Sequence, residues 1–124
     1  MTTVWQAPVK GEGRPGYKHT KLGWIPEEWE VKALGKCVEA GRRITYGIVQ
    51  PGLYDPNGRY LVRGKDYSFG WVAPEDFFRV TPKVEEPYRR SRLKGGDILL
   101  TIVGAGVGNV TVVPEWLEGA NITQ

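Results

Sequence analysis

Three successive residues, Arg63-Gly64-Lys65, set a cation on each side of a position with no side chain. Such a triplet suits an anion that must approach the main chain, because the glycine leaves room and its neighbours supply charge. A second set, Thr45-Tyr46-Gly47 with Gln50, gathers hydroxyls, a carboxamide and an aromatic face around another glycine. Hydroxyls and carboxamides both donate and accept hydrogen bonds, as reading a polar edge requires. A third set is purely cationic: Arg59, then Arg89, Arg90, Arg92 and Lys94. A partly core Tyr46 and a strand-end Gln50 are equal alternatives, and so is a solvated helix face for the last four cations.

Charge is unevenly placed. From Gly41 to Lys65, Arg42, Arg43, Arg59, Arg63 and Lys65 stand against Asp55 alone, while the other 12 basic and 13 acidic residues nearly cancel. The formal net charge of +3 therefore sits in one segment, where a surface for phosphates would need it. The plain alternative is a solvated loop with arginines pointing several ways.

Other chemistries lack their parts. Gly104-Ala105-Gly106-Val107-Gly108-Asn109 follows an apolar run, but Asn109 stands where the third glycine of a dinucleotide fingerprint would fall, and β-branched residues follow instead of a helix. No Lys-Ser/Thr pair of a P-loop is present, so the cluster is predicted to be a hairpin connection. Soft metal ligands are limited to His19 and Cys37, too few for a zinc site, and a Ser-His-Asp relay would rest on the same histidine. Glu30-Val31-Lys32 has the Glu-x-Lys spacing of a nuclease, yet no aspartate precedes it. The Asn-Pro-Pro-aromatic tetrapeptide of adenine methyltransferases is missing. Asp66, Asp76 and Asp97 leave a paired-acid hydrolase formally open, although Asp97 reads more simply as a turn-fixing residue. No catalytic residue, metal or cofactor is expected.

These groups need a scaffold. With 124 residues, 40% hydrophobic and 25% charged, the chain can form one modest core. No apolar run reaches the roughly 18 residues of a membrane span. The first residues lack the pattern of a secretion signal, and one cysteine cannot close an internal disulfide, so a cytoplasmic setting is expected. Residues 1–21, rich in Gly, Pro and Lys, are predicted to be a flexible lead-in, with order from Leu22 and with Trp24, Ile25 and Trp29 at the core margin. Trp29 and Val31 suggest a short extended piece. Leu34, Cys37 and Val38 suit a short amphipathic helix ending near Gly41, which would make Cys37 a core residue. Strands are predicted at Ile44–Val49, at Arg59–Arg63, through the alternating Tyr67, Phe69 and Trp71, at Ile98–Val103 as the clearest core strand, and at Val110–Val113. A turn falls at Asp55-Pro56-Asn57-Gly58, a short turn or helix opens at Pro74, and Glu85–Leu93 carries its arginines on a helix. No closing element is evident at the end of the chain. The fold class is a β-rich single α+β domain with short helices.

Several local patterns then coincide. Gly23-Trp24-Ile25-Pro26-Glu27-Glu28-Trp29-Glu30-Val31-Lys32 with Leu34-Gly35 resembles the opening of a target-recognition domain in the specificity subunit of type I restriction-modification systems. Ile44 to Gly52, Leu61-Val62-Arg63-Gly64-Lys65-Asp66, Leu93 to Thr101 with Val103-Gly104, and Glu118-Gly119-Ala120-Asn121-Ile122 resemble later segments of that family, in order. The resemblance runs from about Tyr17 onward and implies an N-terminal target-recognition domain over 22–124, cut short at its C-terminal end. It implies sequence-specific recognition of double-stranded DNA without catalysis, on behalf of methyltransferase and restriction subunits. S-adenosylmethionine and ATP would belong to those partners, and none to this chain. Gly64 would admit a phosphate, Arg63 a phosphate or guanine, and Gln50 an adenine. The chain departs from the family in having one domain and no heptads for spacer helices. Strand edges left open by truncation would favour self-association. A reading of another class is a protein-interaction module built on Trp24, Trp29 and Trp71 as an exposed aromatic patch.

Overall fold

The computed structural model describes residues 13–124, and the chain divides into two compact units, Met1–Arg43 and Ile44–Gln124.

In the first unit, β1 (Tyr17–Thr20) and β2 (Gly23–Pro26) form an antiparallel hairpin. Gly23 takes φ +104°, open to glycine and to few others, and the Thr20 hydroxyl donates to the Gly23 carbonyl at 2.8 Å. Of the lead-in expected over 1–21, residues 1–12 lie outside the described residues, whereas Tyr17–Thr20 are strand. His19 is therefore ordered, edge-on to Trp24 at 5.4 Å. Trp24 and Ile25 are half-buried as expected, but Trp29 is exposed. The amphipathic helix is replaced by a single 3-10 turn, Leu34–Lys36, with no buried residue. Three apolar positions interrupted by Gly35 are too few to offset the cost of helix nucleation. Cys37 is exposed, not core, because no residue of 13–43 is fully buried.

The second unit is organised by a three-stranded sheet. Its centre is β3 (Arg59–Val62), antiparallel to β4 (Phe78–Val80) and parallel to β7 (Asn121–Ile122). Alternation along β3 sends Leu61 and Val62 to opposite faces. Leu61 packs with Ile48 and Val80, while Val62 joins Phe77, Leu93, Val113, Leu117 and Ala120. Residues Asn121–Ile122 thus supply a pairing partner for the central strand that their sequence did not announce.

Four expected elements are corrected. Ile44–Val49 contributes one parallel bridge, Ile48 with Thr123, and not a strand. Residues Tyr67–Trp71 form a tight turn, in which Tyr67 and Trp71 point to the core and Phe69 to solvent. The expected core strand is reduced to β5 (Ile98–Leu100), paired with β6 (Val110–Val112). Leu99 packs on the core but Ile98, Leu100, Ile102 and Val103 are exposed, since the second face of this two-stranded hairpin has no cover. Finally, the arginine-bearing helix is split into α1 (Pro82–Glu85) and a 3-10 stretch, Glu86–Ser91, kinked at Tyr88. Pro87, without an N–H, cannot continue the α-helical ladder.

Candidate nucleic-acid interface

β3 ends at Val62, and the chain turns at once through a 3-10 segment, Gly64–Asp66. The turn is fixed by Asp66, which is buried. Its carboxylate accepts the Arg63 backbone N–H at 2.7 Å and lies 3.5 Å from the Arg63 Nε. The Arg63 guanidinium also stands 5.7 Å over the Phe78 ring. Asp66, weighed from the sequence as a hydrolase acid, is a structural cap here. Asp97 likewise accepts the Lys94 backbone N–H at 2.8 Å, the turn-fixing role expected of it.

Against this turn lies the glycine-rich connection between β5 and β6. Gly64, Lys65 and Ser68 on one side and Thr101, Val103, Ala105 and Gly106 on the other line a cleft of about 330 Å³. A 2.6 Å hydrogen bond between the Tyr67 and Thr101 hydroxyls joins the two walls. No acid lines the cleft, and Lys65 is exposed with no ion pair among the described residues. Sequence reasoning found Gly64 and Lys65 but missed Ser68, Thr101 and the opposite wall. The glycine cluster Gly104-Ala105-Gly106 is the signal in the sequence that marks this wall.

The other expected residues are dispersed around this cleft. β3 and the Ile48 bridge both run parallel to β7, so Val49-Gln50 and Arg63-Gly64-Lys65 leave the sheet at the same end. Gln50 and Tyr46 are exposed, and Thr45 donates its hydroxyl to the Tyr46 carbonyl at 3.0 Å. Gly47 is buried, not open to a ligand, because a Cβ there would overlap the Ile122 carbonyl. Arg89 is exposed and paired with Glu86 at 3.4 Å, and Arg90 and Lys94 are exposed.

Arg59 and Arg92 turn instead to a buried carboxylate. Glu85 is 2% exposed and accepts from Arg92, Arg59 lies 3.4 Å away, and Asn121 donates to it at 3.0 Å. Arg59 also donates to the Gly119 carbonyl. The Arg92 contact holds the Glu85 carboxyl below its ordinary value against the opposing effect of burial. A second cleft of about 350 Å³ lies over this cluster, but its arginines 59, 79 and 92 are accompanied by Glu85, Glu86 and Glu118. Its charge is already balanced. Among the described residues no group of three His, Cys, Asp or Glu side chains could hold a metal ion, and no helix is long and apolar enough to cross a membrane. Trp71 stacks within the core aromatic group, 6.4 Å from Phe77, so an exposed patch built on it is not formed.

The chain is thus a small β-rich α+β fold with an acid-free cleft lined by Gly64 and Lys65. Over 91 residues the chain is 35% identical to the type I restriction enzyme EcoBI specificity subunit of Escherichia coli, a match covering 73% of this chain. It is a relative of the specificity subunits of type I restriction systems, with the sequence of a target-recognition domain. The match spans 19% of the length of that subunit. No family model matches the chain, and no solved structure does.

Proposed function

We propose that this chain recognises a sequence in double-stranded DNA and directs modification and restriction subunits to it, catalysing nothing itself. S-adenosylmethionine and ATP would be bound by those partners, in the cytoplasm where the duplex is. The observation that carries this reading is the acid-free cleft at Gly64-Lys65, whose lysine is left for a ligand. A phosphate meets in it a cation and a main chain approachable at Gly64, which is how proteins position themselves on a duplex. Gln50, leaving the sheet at the same end, brings a carboxamide able to pair with an adenine edge.

The test is binding of a random-sequence duplex pool over a series of salt concentrations. Phosphate contacts require log K to fall linearly with log salt, by roughly 0.9 per phosphate neutralised. Low salt should be included, since a single recognition domain forgoes the avidity of a two-part site. Salt-independent binding, or none at low salt, overturns the proposal. Co-purification with a methyltransferase subunit checks the second half of it.

A further inference from the structure

Among the exposed apolar side chains, one beside the cleft is an aromatic ring carried on a hydrogen-bonded turn. Phe69 is fully exposed, at 103% of its reference area, while the aromatic residues on both sides of it, Tyr67 and Trp71, are packed against the core and lie 5.5 Å from each other. The ring stands at the tip of a turn that is fastened at every step. Ser68 donates its hydroxyl to the Gly64 carbonyl at 2.8 Å, Gly70 N–H donates to the Tyr67 carbonyl, and Val72 N–H to the Asp66 carbonyl at 3.0 Å. Gly70 takes φ +91°, a conformation that closes the turn behind the ring. The segment below is tied to β5 through the Tyr67–Thr101 hydroxyl pair.

Presentation on a fixed turn matters energetically. A ligand meeting Phe69 does not have to order the segment that carries it, so the contact loses little to conformational entropy. Its neighbour Ser68 lines the same cleft as Lys65, so the turn that carries the ring is also a wall of that cleft. An aromatic ring offers no hydrogen bond to a phosphate, but it does match the one apolar group exposed in the major groove, the thymine C5-methyl. A wedge between base steps is the other use of such a ring, and its unstacking cost is offset by bent DNA wrapping more protein surface, which a chain of this size and charge offers little of. The net charge here is only +3.

Resting on the DNA-recognition reading, we infer that Phe69 is a specificity-determining residue that enters the major groove and contacts a thymine methyl beside the phosphate held at Lys65. Lys65 supplies affinity without regard to sequence, and Phe69 supplies part of the choice.

The experiment begins by selecting a preferred duplex from a random pool with the full chain, then compares wild type, Phe69→Ala and Phe69→Leu on it. Phe69→Ala is expected to lose about five- to tenfold in affinity for the selected duplex, with an unchanged salt slope and unchanged thermal unfolding, and Phe69→Leu to retain most of the affinity. Replacing thymines of the selected duplex one at a time by uracil should reproduce the loss for wild type at one position, and have no effect there on Phe69→Ala. Equal affinity of wild type and Phe69→Ala overturns the inference, as does a Phe69→Ala loss with no uracil-sensitive position. Loss of methyltransferase co-purification with intact DNA selection also overturns it, assigning the ring to a protein partner. If wild type itself selects no duplex, the DNA-recognition reading fails first, a result distinct from all of these.

Discussion

Arg92 meets Glu85 with two parallel hydrogen bonds, Nε to Oε1 at 2.6 Å and Nη2 to Oε2 at 2.7 Å. The carboxylate is buried, and Asn121, itself buried, completes its coordination at 3.0 Å while accepting from the Ser91 hydroxyl at 2.6 Å. This one acid therefore fastens α1 and the following 3-10 stretch to β7 and, through Arg59, to β3. Glu85→Gln keeps the shape but takes the counter-charge from Arg59 and leaves Arg92 its pairing with Glu86, 2.9 Å away. A loss of about 2–3 kcal/mol is expected, at the lower end for a buried pair because the arginines are partly solvated. Urea unfolding should report it as a lower midpoint at unchanged slope, and an unchanged midpoint would disconnect the pair from stability.

The same pair sets an acid limit. Its carboxyl lies below the ordinary value of 4.5, chiefly because Arg92 hydrogen-bonds the ionised form. Around that value the unfolded chain binds more protons than the folded one, so stability rises with pH there. The contribution is complete above 4.5 and is lost as pH falls through the lower folded value. Unfolding midpoints measured down an acid series should drop more steeply for wild type than for Glu85→Gln, which has no proton to gain at this position.

Much of the scaffold was legible where one signal decides. The strand at Tyr60-Leu61-Val62 just after the Asp55–Gly58 turn, the proline at position 74 and the hairpin of β5 with β6 all follow from local chemistry. What failed depends on non-local partners. The extent of Ile98–Val103 as a strand required a second layer to cover its outer face, and Phe69 shares the period of Tyr67 and Trp71 yet points away from the core. Arg59 and Arg92 read as ligand-facing cations, because nothing in spacing says that Glu85 is buried between them. For the interface, Lys65 and Gly64 were visible as a local triplet. The wall opposite them comes from residues some 40 positions later, and only pairing through Tyr67 and Thr101 brings it there.

Gly47 illustrates a residue whose expected and observed roles differ. The sequence sets it among polar groups suited to a ligand, whereas its Cα faces the carbonyl and side chain of Ile122 with no room for a methyl group. Gly47→Ala must push β7 away from its neighbours or displace Ile48, a fully buried residue. A destabilisation of about 1–3 kcal/mol is expected from such overpacking, seen in thermal unfolding. Any loss of DNA binding in this variant should disappear when affinity is measured well below its melting temperature. A variant that is fully stable yet binds DNA weakly would restore the ligand-facing role.

Arg63 and Lys65 flank the same glycine but are not equivalent. Arg63 is held by Asp66 and by the face of Phe78, so Arg63→Ala removes an ion pair and a cation–π contact. That should cost about 1 kcal/mol of stability. Lys65 is exposed and has no such partner among the described residues, so Lys65→Ala should leave unfolding unaltered. On duplex DNA the order reverses. Lys65→Ala should lower the slope of log K against log salt by roughly 0.9, the share of one phosphate, and Lys65→Arg should restore it, whereas the Arg63 side chain is already committed to Asp66 and changes the slope less. Equal slopes for wild type and Lys65→Ala would mean that the lysine of the cleft meets no phosphate, and the cleft would then have to be given up as the place where the duplex is gripped.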